Sequence, residues 1–170
     1  MELILLRHGK ADAHGLPSAD AGRNLVAKGI EQAKKVGAYL KSVGILPDLV
    51  LTSPLLRAKQ TAEHFCQSAG LPGPVIQSWL AIGMHPDLTL RELVAFSEFK
   101  RVCIVGHEPD FSSLIAWVTN SDGGAVEMRK GTLAILEIRP PSRRGLLLSL
   151  IPQDMMPNLV EKEEETGKKI

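Results

Sequence analysis

With 170 residues, 44% of them apolar and 23% charged, the chain has the size and composition of one globular domain able to bury most of its apolar surface. Its formal net charge of +1 excludes a general nucleic-acid binder, which carries a marked basic excess, so any cationic site must be local. No stretch approaches the roughly 18 apolar residues that span a bilayer, and Glu2 and Arg7-His8 are out of place in a secretory signal, so a cytoplasmic protein without membrane partners is expected.

The chain opens on Leu3-Ile4-Leu5-Leu6, a run that reads as a short strand buried on both faces of a parallel sheet. It stops in Arg7-His8-Gly9-Lys10. A cation and an imidazole at the carboxyl end of such a strand lie where open α/β sheets keep their ligands, although alone they read equally well as a polar strand cap. Residues 11–24 are rich in Gly, Pro, Ser, Asp and Asn and form a loop, either a cover for a ligand or only a long connection. Ile30, Ala33, Gly37 and Leu40 fall at helical spacing, with Lys28, Glu31, Lys34, Lys35 and Lys41 mostly opposite. The spacing predicts a helix over 26–43 that stops at Gly44.

Leu49-Val50-Leu51 is a second buried strand, and Thr52-Ser53-Pro54 follows it. Ser53 suits a helix N-cap and Pro54 the first helical position. Arg57 would then stand about one turn into a helix running to Gly70. A cation near a positive helix end is unfavourable unless an anion binds there. Val75-Ile76 makes a small strand, 78–87 mostly loop, and Asp87 a cap for a third helix through Leu90, Leu93, Val94 and Phe96. Val102-Cys103-Ile104-Val105 is the third buried strand. It ends in Gly106-His107-Glu108-Pro109-Asp110, and a helix follows through Leu114, Ile115, Trp117 and Val118.

Strand, polar turn, helix thus occurs three times, as alternating βα units of a parallel sheet require. Residues 132–138 and 145–151 flank Pro140-Pro141-Ser142-Arg143-Arg144 and read as an antiparallel hairpin closing one side of the sheet. The expected fold class is α/β, a three-layer α/β/α sandwich with a mostly parallel sheet and a C-terminal antiparallel hairpin. Residues 1–154 make one domain, and 155–170 a charged tail. Cys66 and Cys103 sit in apolar segments, away from any CxxC or Cys/His cluster, and read as reduced, packed thiols.

The three turns collect Arg7, His8, Ser53, Arg57 and His107. Two guanidiniums, two imidazoles and a helix N-terminus make a pocket for a dianion, and arginine matches phosphate oxygens bidentately. No basic-neighboured Cys, HExxH, Walker lysine or G-x-S-x-G motif is present. Ser53 has no evident base and reads as a cap or phosphate ligand, so histidine remains as the nucleophile. No cofactor and no metal are called for. Lys130 reads more readily as a surface lysine than as a ligand of an anion.

Leu-Arg-His-Gly-Lys-Ala at 6–11, Thr-Ser-Pro-Leu-Leu-Arg-Ala-Lys-Gln-Thr-Ala at 52–62 and Val-Gly-His-Glu-Pro-Asp at 105–110 resemble the histidine phosphatase (phosphoglycerate mutase-like) superfamily. They look most like its SixA-type phosphohistidine phosphatases. The resemblance spans roughly residues 1–150. It implies that His8 carries a transient phosphoryl group, that Arg7 and Arg57 bind its oxygens, and that His107 adds a further donor. Ser53 and Lys10 are second-tier candidates. In-line transfer needs a neutral imidazole nitrogen aimed at phosphorus and cations around the oxygens, so a backbone carbonyl should hold His8 in one tautomer.

Mutases and phosphomonoesterases of the superfamily typically carry a carboxylic general acid in the loop before the third helix. Here Trp79 to Pro86 holds no carboxylate, and the first is Asp87. An alkoxide leaving without an acid costs on the order of 100-fold in rate, whereas imidazole departs from phosphohistidine as a neutral ring. SixA-type proteins share the gap, so a phosphohistidine-containing protein is the expected partner, either a histidine phosphotransfer domain or a phosphotransferase-system protein. His85, Asp87 and Glu108 stay open as proton donors.

Overall fold

The computed structural model describes residues 1–13 and 15–159. His14 and the last part of the expected tail, 160–170, lie outside the described residues. Ten main elements follow one another: β1 (Glu2–Arg7), α1 (Ala27–Ser42), β2 (Leu49–Thr52), α2 (Leu56–Ala69), β3 (Val75–Ile76), α3 (Pro86–Glu92), β4 (Arg101–Gly106), α4 (Asp110–Thr119), β5 (Leu133–Ile138) and β6 (Gly145–Ile151). The sheet order is β3-β2-β4-β1-β5-β6. β3, β2, β4 and β1 pair in parallel, β5 is antiparallel to β1, and β6 is antiparallel to β5. The expected mixed sheet with its closing hairpin is therefore present.

β1 is central because Leu3, Ile4, Leu5 and Leu6 have apolar partners on both faces. Leu3 and Leu5 pack with Leu90, Leu93, Phe111, Leu114 and Ile115 from the α3–α4 side. Ile4 and Leu6 pack with Val36, Leu40, Ala62 and Phe65 from the α1–α2 side. Full burial of each such side chain contributes roughly 1.5–3 kcal/mol. The two cysteines belong to the second cluster; both are free thiols, and burial pushes both well up from the usual thiol range. No helix among the described residues is long and apolar enough to cross a membrane.

Several local expectations are corrected. Ser53 is not the N-cap and Pro54 not the first residue of α2: the helix begins at Leu56, with Leu55 at the cap. The Ser53 hydroxyl accepts from the Leu55 N–H at 3.2 Å and makes a turn instead. Arg57 is thus the second helical residue, not one turn in. α3 starts at Pro86 with His85 at its cap, so Asp87 lies inside the helix, where it pairs with Arg91. Beyond Glu92 the expected helix tightens into a 3-10 turn over Leu93–Phe96. The loop after β1 contains a further 3-10 turn, Pro17–Gly22.

Candidate active site

The parallel register sets the ends of three adjacent strands level. Arg7 lies opposite Gly106 and Thr52 opposite Val105. Continued by one residue, the register brings His8 level with His107 and Ser53 level with Gly106. The His8 N–H donates to the Gly106 carbonyl, and the Ser53 N–H to the Val105 carbonyl. The rings of His8 and His107 stand 5.2 Å apart. His8 Nδ1 is 2.8 Å from the Gly9 carbonyl oxygen. A carbonyl only accepts, so Nδ1 carries the proton and Nε2 keeps its lone pair.

Neighbouring segments hold this turn rigid. The Gly9 N–H donates to Thr61 Oγ1, which donates to the Arg57 carbonyl. The Lys10 N–H donates to Gln32 Oε1. Gly9 and Gly29 lie backbone to backbone: a Cβ on Gly9 would come within 2.6 Å of the Gly29 oxygen. Side-chain bulk at either position would move the His8 turn.

A cavity of about 160 Å³ opens at these strand ends, and its wall includes Arg7, His8, Arg57 and His107. Asp20, Arg23, Ile82, Glu108 and Lys130 complete it. Arg57 is only 2% exposed. Its Nη1 donates to the Asp20 carbonyl and its Nη2 to Asp20 Oδ2, at 2.8 and 3.1 Å. Arg7 Nη1 donates to the Met128 carbonyl. Arg7 Nε, Arg57 Nε and His107 Nδ1 are buried without a partner among the described residues. Buried polar groups left unpaired are costly, and here they belong to three residues of one cavity wall. Such a wall offers unused hydrogen-bonding capacity to an anion.

The electrostatics agree. Burial, and then the nearby His107, Arg57 and Arg7, bring His8 down to about 3 despite the favourable Gly9 bond. Burial, with Arg57, brings His107 down to about 4. Both imidazoles are therefore neutral at pH 7, as a nitrogen nucleophile must be. Partial burial pushes the Asp20 carboxyl up, but Arg57 and Arg23 outweigh it and hold the group ionised, below its ordinary range. Burial and the cations Arg7, Arg23, Lys10 and Arg57 lower Lys130.

Of the residues singled out from the sequence, Arg7, His8, Arg57 and His107 meet in one cavity. Ser53 does not reach its wall: it is fully buried, with its hydroxyl 2.7 Å from His107 Nε2. Lys10 is exposed beside the site but is not part of the wall. Of the open proton donors, only Glu108 lines the cavity. Asp87 is paired with Arg91, and the His85 ring lies edge-on to Trp117. Asp20 and Arg23 were not recognised in the sequence, and Lys130, read there as a surface lysine, stands in the wall. The only hint of the first two was a long loop directly after a site strand.

The loop over 78–85 is pinned from below. One oxygen of the buried Asp110, at the start of α4, accepts from the N–H groups of both Gly83 and Met84. Gly83 has φ +89°, a conformation natural only to glycine. Ile82, 51% exposed, is the residue this loop supplies to the cavity.

Comparison with known proteins places this geometry. A family model described as histidine phosphatase superfamily (branch 1) matches residues 3–79. An uncharacterized protein of Picosynechococcus sp. is 35% identical over 116 residues, 65% of this chain and 68% of that protein. A 2,3-bisphosphoglycerate-dependent phosphoglycerate mutase of Thermobifida fusca is 44% identical over 80 residues, 45% of this chain. This alignment covers only 32% of the mutase. The solved structure of the protein histidine phosphatase SixA complexed with tungstate superposes with a TM-score of 0.81 at 22% identity, over 91% of this chain and 98% of that one. With the matching family model, the relative aligned over two thirds of its length and the shared α/β fold, the chain belongs to the histidine phosphatase superfamily.

Proposed function

We propose that the protein is a metal-independent phosphohistidine phosphatase that works through a phosphorylated His8. The observation that carries this reading is the His8 geometry: Nδ1–H is committed to the Gly9 carbonyl, so Nε2 is a bare, neutral nucleophile beside two guanidiniums. In the first step Nε2 attacks phosphorus in line. The P–N bond of the substrate breaks, and its imidazole, protonated on the other ring nitrogen, leaves as a neutral molecule. Arg7 and Arg57 bind the equatorial oxygens, where charge develops. In the second step water attacks the phosphoryl group on His8, the P–Nε2 bond breaks, and phosphate leaves carrying the water's oxygen.

The size of the cavity supports a large substrate. Its 160 Å³ admits a phosphoryl group with part of what it is attached to, and leaves no room for a protein. The remainder of the substrate therefore lies outside, against the half-exposed Ile82 and a second cavity of about 280 Å³ that shares Arg7 and Lys130 with the first. A phosphorylated side chain on a protein surface suits such a mouth, and a histidine phosphotransfer domain or a phosphotransferase-system protein supplies one. The loop that contributes Ile82 brings no acid to the leaving group, which suits imidazole better than an alkoxide.

A second reading, a phosphomonoesterase of small molecules, is favoured by one observation: Glu108 stands in the wall as a carboxylate within the site. Assays in chelator, with a phosphohistidine-bearing phosphotransfer domain on one side and glycerate and sugar phosphates on the other, separate the two. Fast turnover of the phosphohistidine protein, with a phosphoryl group trapped on His8 and absent from His8→Ala, is expected. Fast turnover of an alkyl ester with none of the phosphohistidine protein would overturn the reading.

A further inference from the structure

Ser53 is fully buried behind His107, and its hydroxyl sits in a closed set of hydrogen bonds. Its oxygen accepts from the Leu55 N–H at 3.2 Å and lies 2.7 Å from His107 Nε2. The second contact has two possible directions. If Nε2–H donated to the serine, the oxygen would accept twice and the hydroxyl proton would need another acceptor. No other acceptor lies within hydrogen-bond range of this hydroxyl among the described residues, and full burial keeps water away. A buried hydroxyl proton without an acceptor is costly. The other direction satisfies the hydroxyl in full: the serine gives its proton to a bare Nε2 and accepts from Leu55.

A neutral imidazole with a bare Nε2 carries its proton on Nδ1. Nδ1 is the His107 nitrogen that is buried and unpartnered, in a ring that is 2% exposed and forms part of the cavity wall. With Nε2 taken by the serine, Nδ1 is all that His107 can offer a ligand. As an N–H it donates to a phosphoryl oxygen; as a lone pair it would repel one. We propose that Ser53 is a positioning residue: its hydroxyl fixes His107 as the neutral Nδ1–H tautomer, so that the ring presents a donor to the transferring phosphoryl group. The Leu55 N–H, at the cap of α2, aims the hydroxyl, so the turn before α2 orients a side chain on the neighbouring strand.

The proposal rests on the phosphoryl-transfer reading for its purpose but not for its first test. Nitrogen-15 spectra of histidine-labelled protein distinguish protonated from bare ring nitrogens without any substrate. The expected pattern for His107 in the native protein is a protonated Nδ1 and a bare Nε2, with Ser53→Ala shifting the ring toward the Nε2–H form. Tungstate should perturb the Nδ1 signal in the native protein. A protonated Nε2 in the native protein, or an unchanged His107 spectrum in Ser53→Ala, would overturn the assignment. In turnover, Ser53→Ala should lower kcat about tenfold with KM within about twofold, since the donor matters most as charge develops. Ser53→Thr, which keeps the hydroxyl, should recover most of it. Native kcat in Ser53→Ala would refute the positioning role. The spectroscopic pattern without phosphohistidine turnover would instead refute the proposed substrate and leave the tautomer assignment standing.

Discussion

Asp20 is the most informative residue to change, because its carboxylate occupies the guanidinium that the proposed reaction assigns to the phosphoryl group. Its Oδ2 lies 3.1 Å from Arg57 Nη2, and its Oδ1 2.9 Å from Arg23. Unit charges about 4 Å apart interact by about 4 kcal/mol at an effective dielectric of about 20. Asp20 is partly open to solvent, and exposed pairs retain only about 1 kcal/mol after screening. Removing the charge with Asp20→Asn should therefore tighten tungstate or phosphate binding about fivefold. The Asp20 main-chain carbonyl still holds Arg57 Nη1, so the guanidinium stays in place. Isothermal titration at low salt measures the gain, and it should shrink toward 1 M salt, where the Debye length falls to about 3 Å. Unchanged or weaker anion affinity at low salt would refute the competition between Asp20 and the ligand.

Three further outcomes follow from the same geometry. Burial sets His8 near 3 and His107 near 4 in the folded chain, against about 6.5 when unfolded. Between those values the unfolded state binds more protons, so stability is complete above about pH 6.5 and falls as pH drops toward 4. Each imidazole adds a slope of up to about 1.4 kcal/mol per pH unit; denaturant melts of His8→Gln and His107→Gln across this range should be flatter than those of the native protein. Gly29→Ala drives a methyl into the Lys10 carbonyl, and such overpacking costs about 1–3 kcal/mol; a lower urea midpoint with weaker tungstate binding is expected, and a native midpoint would show that α1 can yield. Glu108→Gln should change phosphohistidine turnover less than about threefold if imidazole leaves unaided. A loss on the order of 100-fold would make Glu108 the proton donor.

The strand ends were legible because buried parallel strands are short apolar runs that stop where the backbone reaches the site. Residues 3–6, 49–51 and 102–105 all have that form, and each is followed by a cavity residue or by its support. The start of α2 was misread because Ser53-Pro54 has cap chemistry in sequence, whereas the sheet register places Ser53 under His107, where its hydroxyl is more useful as a donor. Thr61 and Gln32 could not be found from pattern alone: each lies at an ordinary helical position and acquires its role only when α2 and α1 close on the His8 turn. Asp20 and Arg23 sit in a loop whose composition resembles any other loop. What distinguishes them is that Asp20 bonds a guanidinium 37 residues further along the chain while Arg23 pairs with the same carboxylate.

The placement of β1 has a consequence for how the chain is made. β1 pairs with β4, around residue 104, and with β5, around residue 135, both of which are synthesised after it. Leu3, Ile4, Leu5 and Leu6 therefore leave the ribosome about 100 residues before their neighbours on β4 and about 130 before those on β5. Until then the nascent polypeptide displays its most apolar segment with both ladder edges open, a period in which chaperones or rapid collapse onto α1 and α2 must protect it. The His8 turn reaches its final position only at the end of that wait, because its backbone N–H is anchored on Gly106.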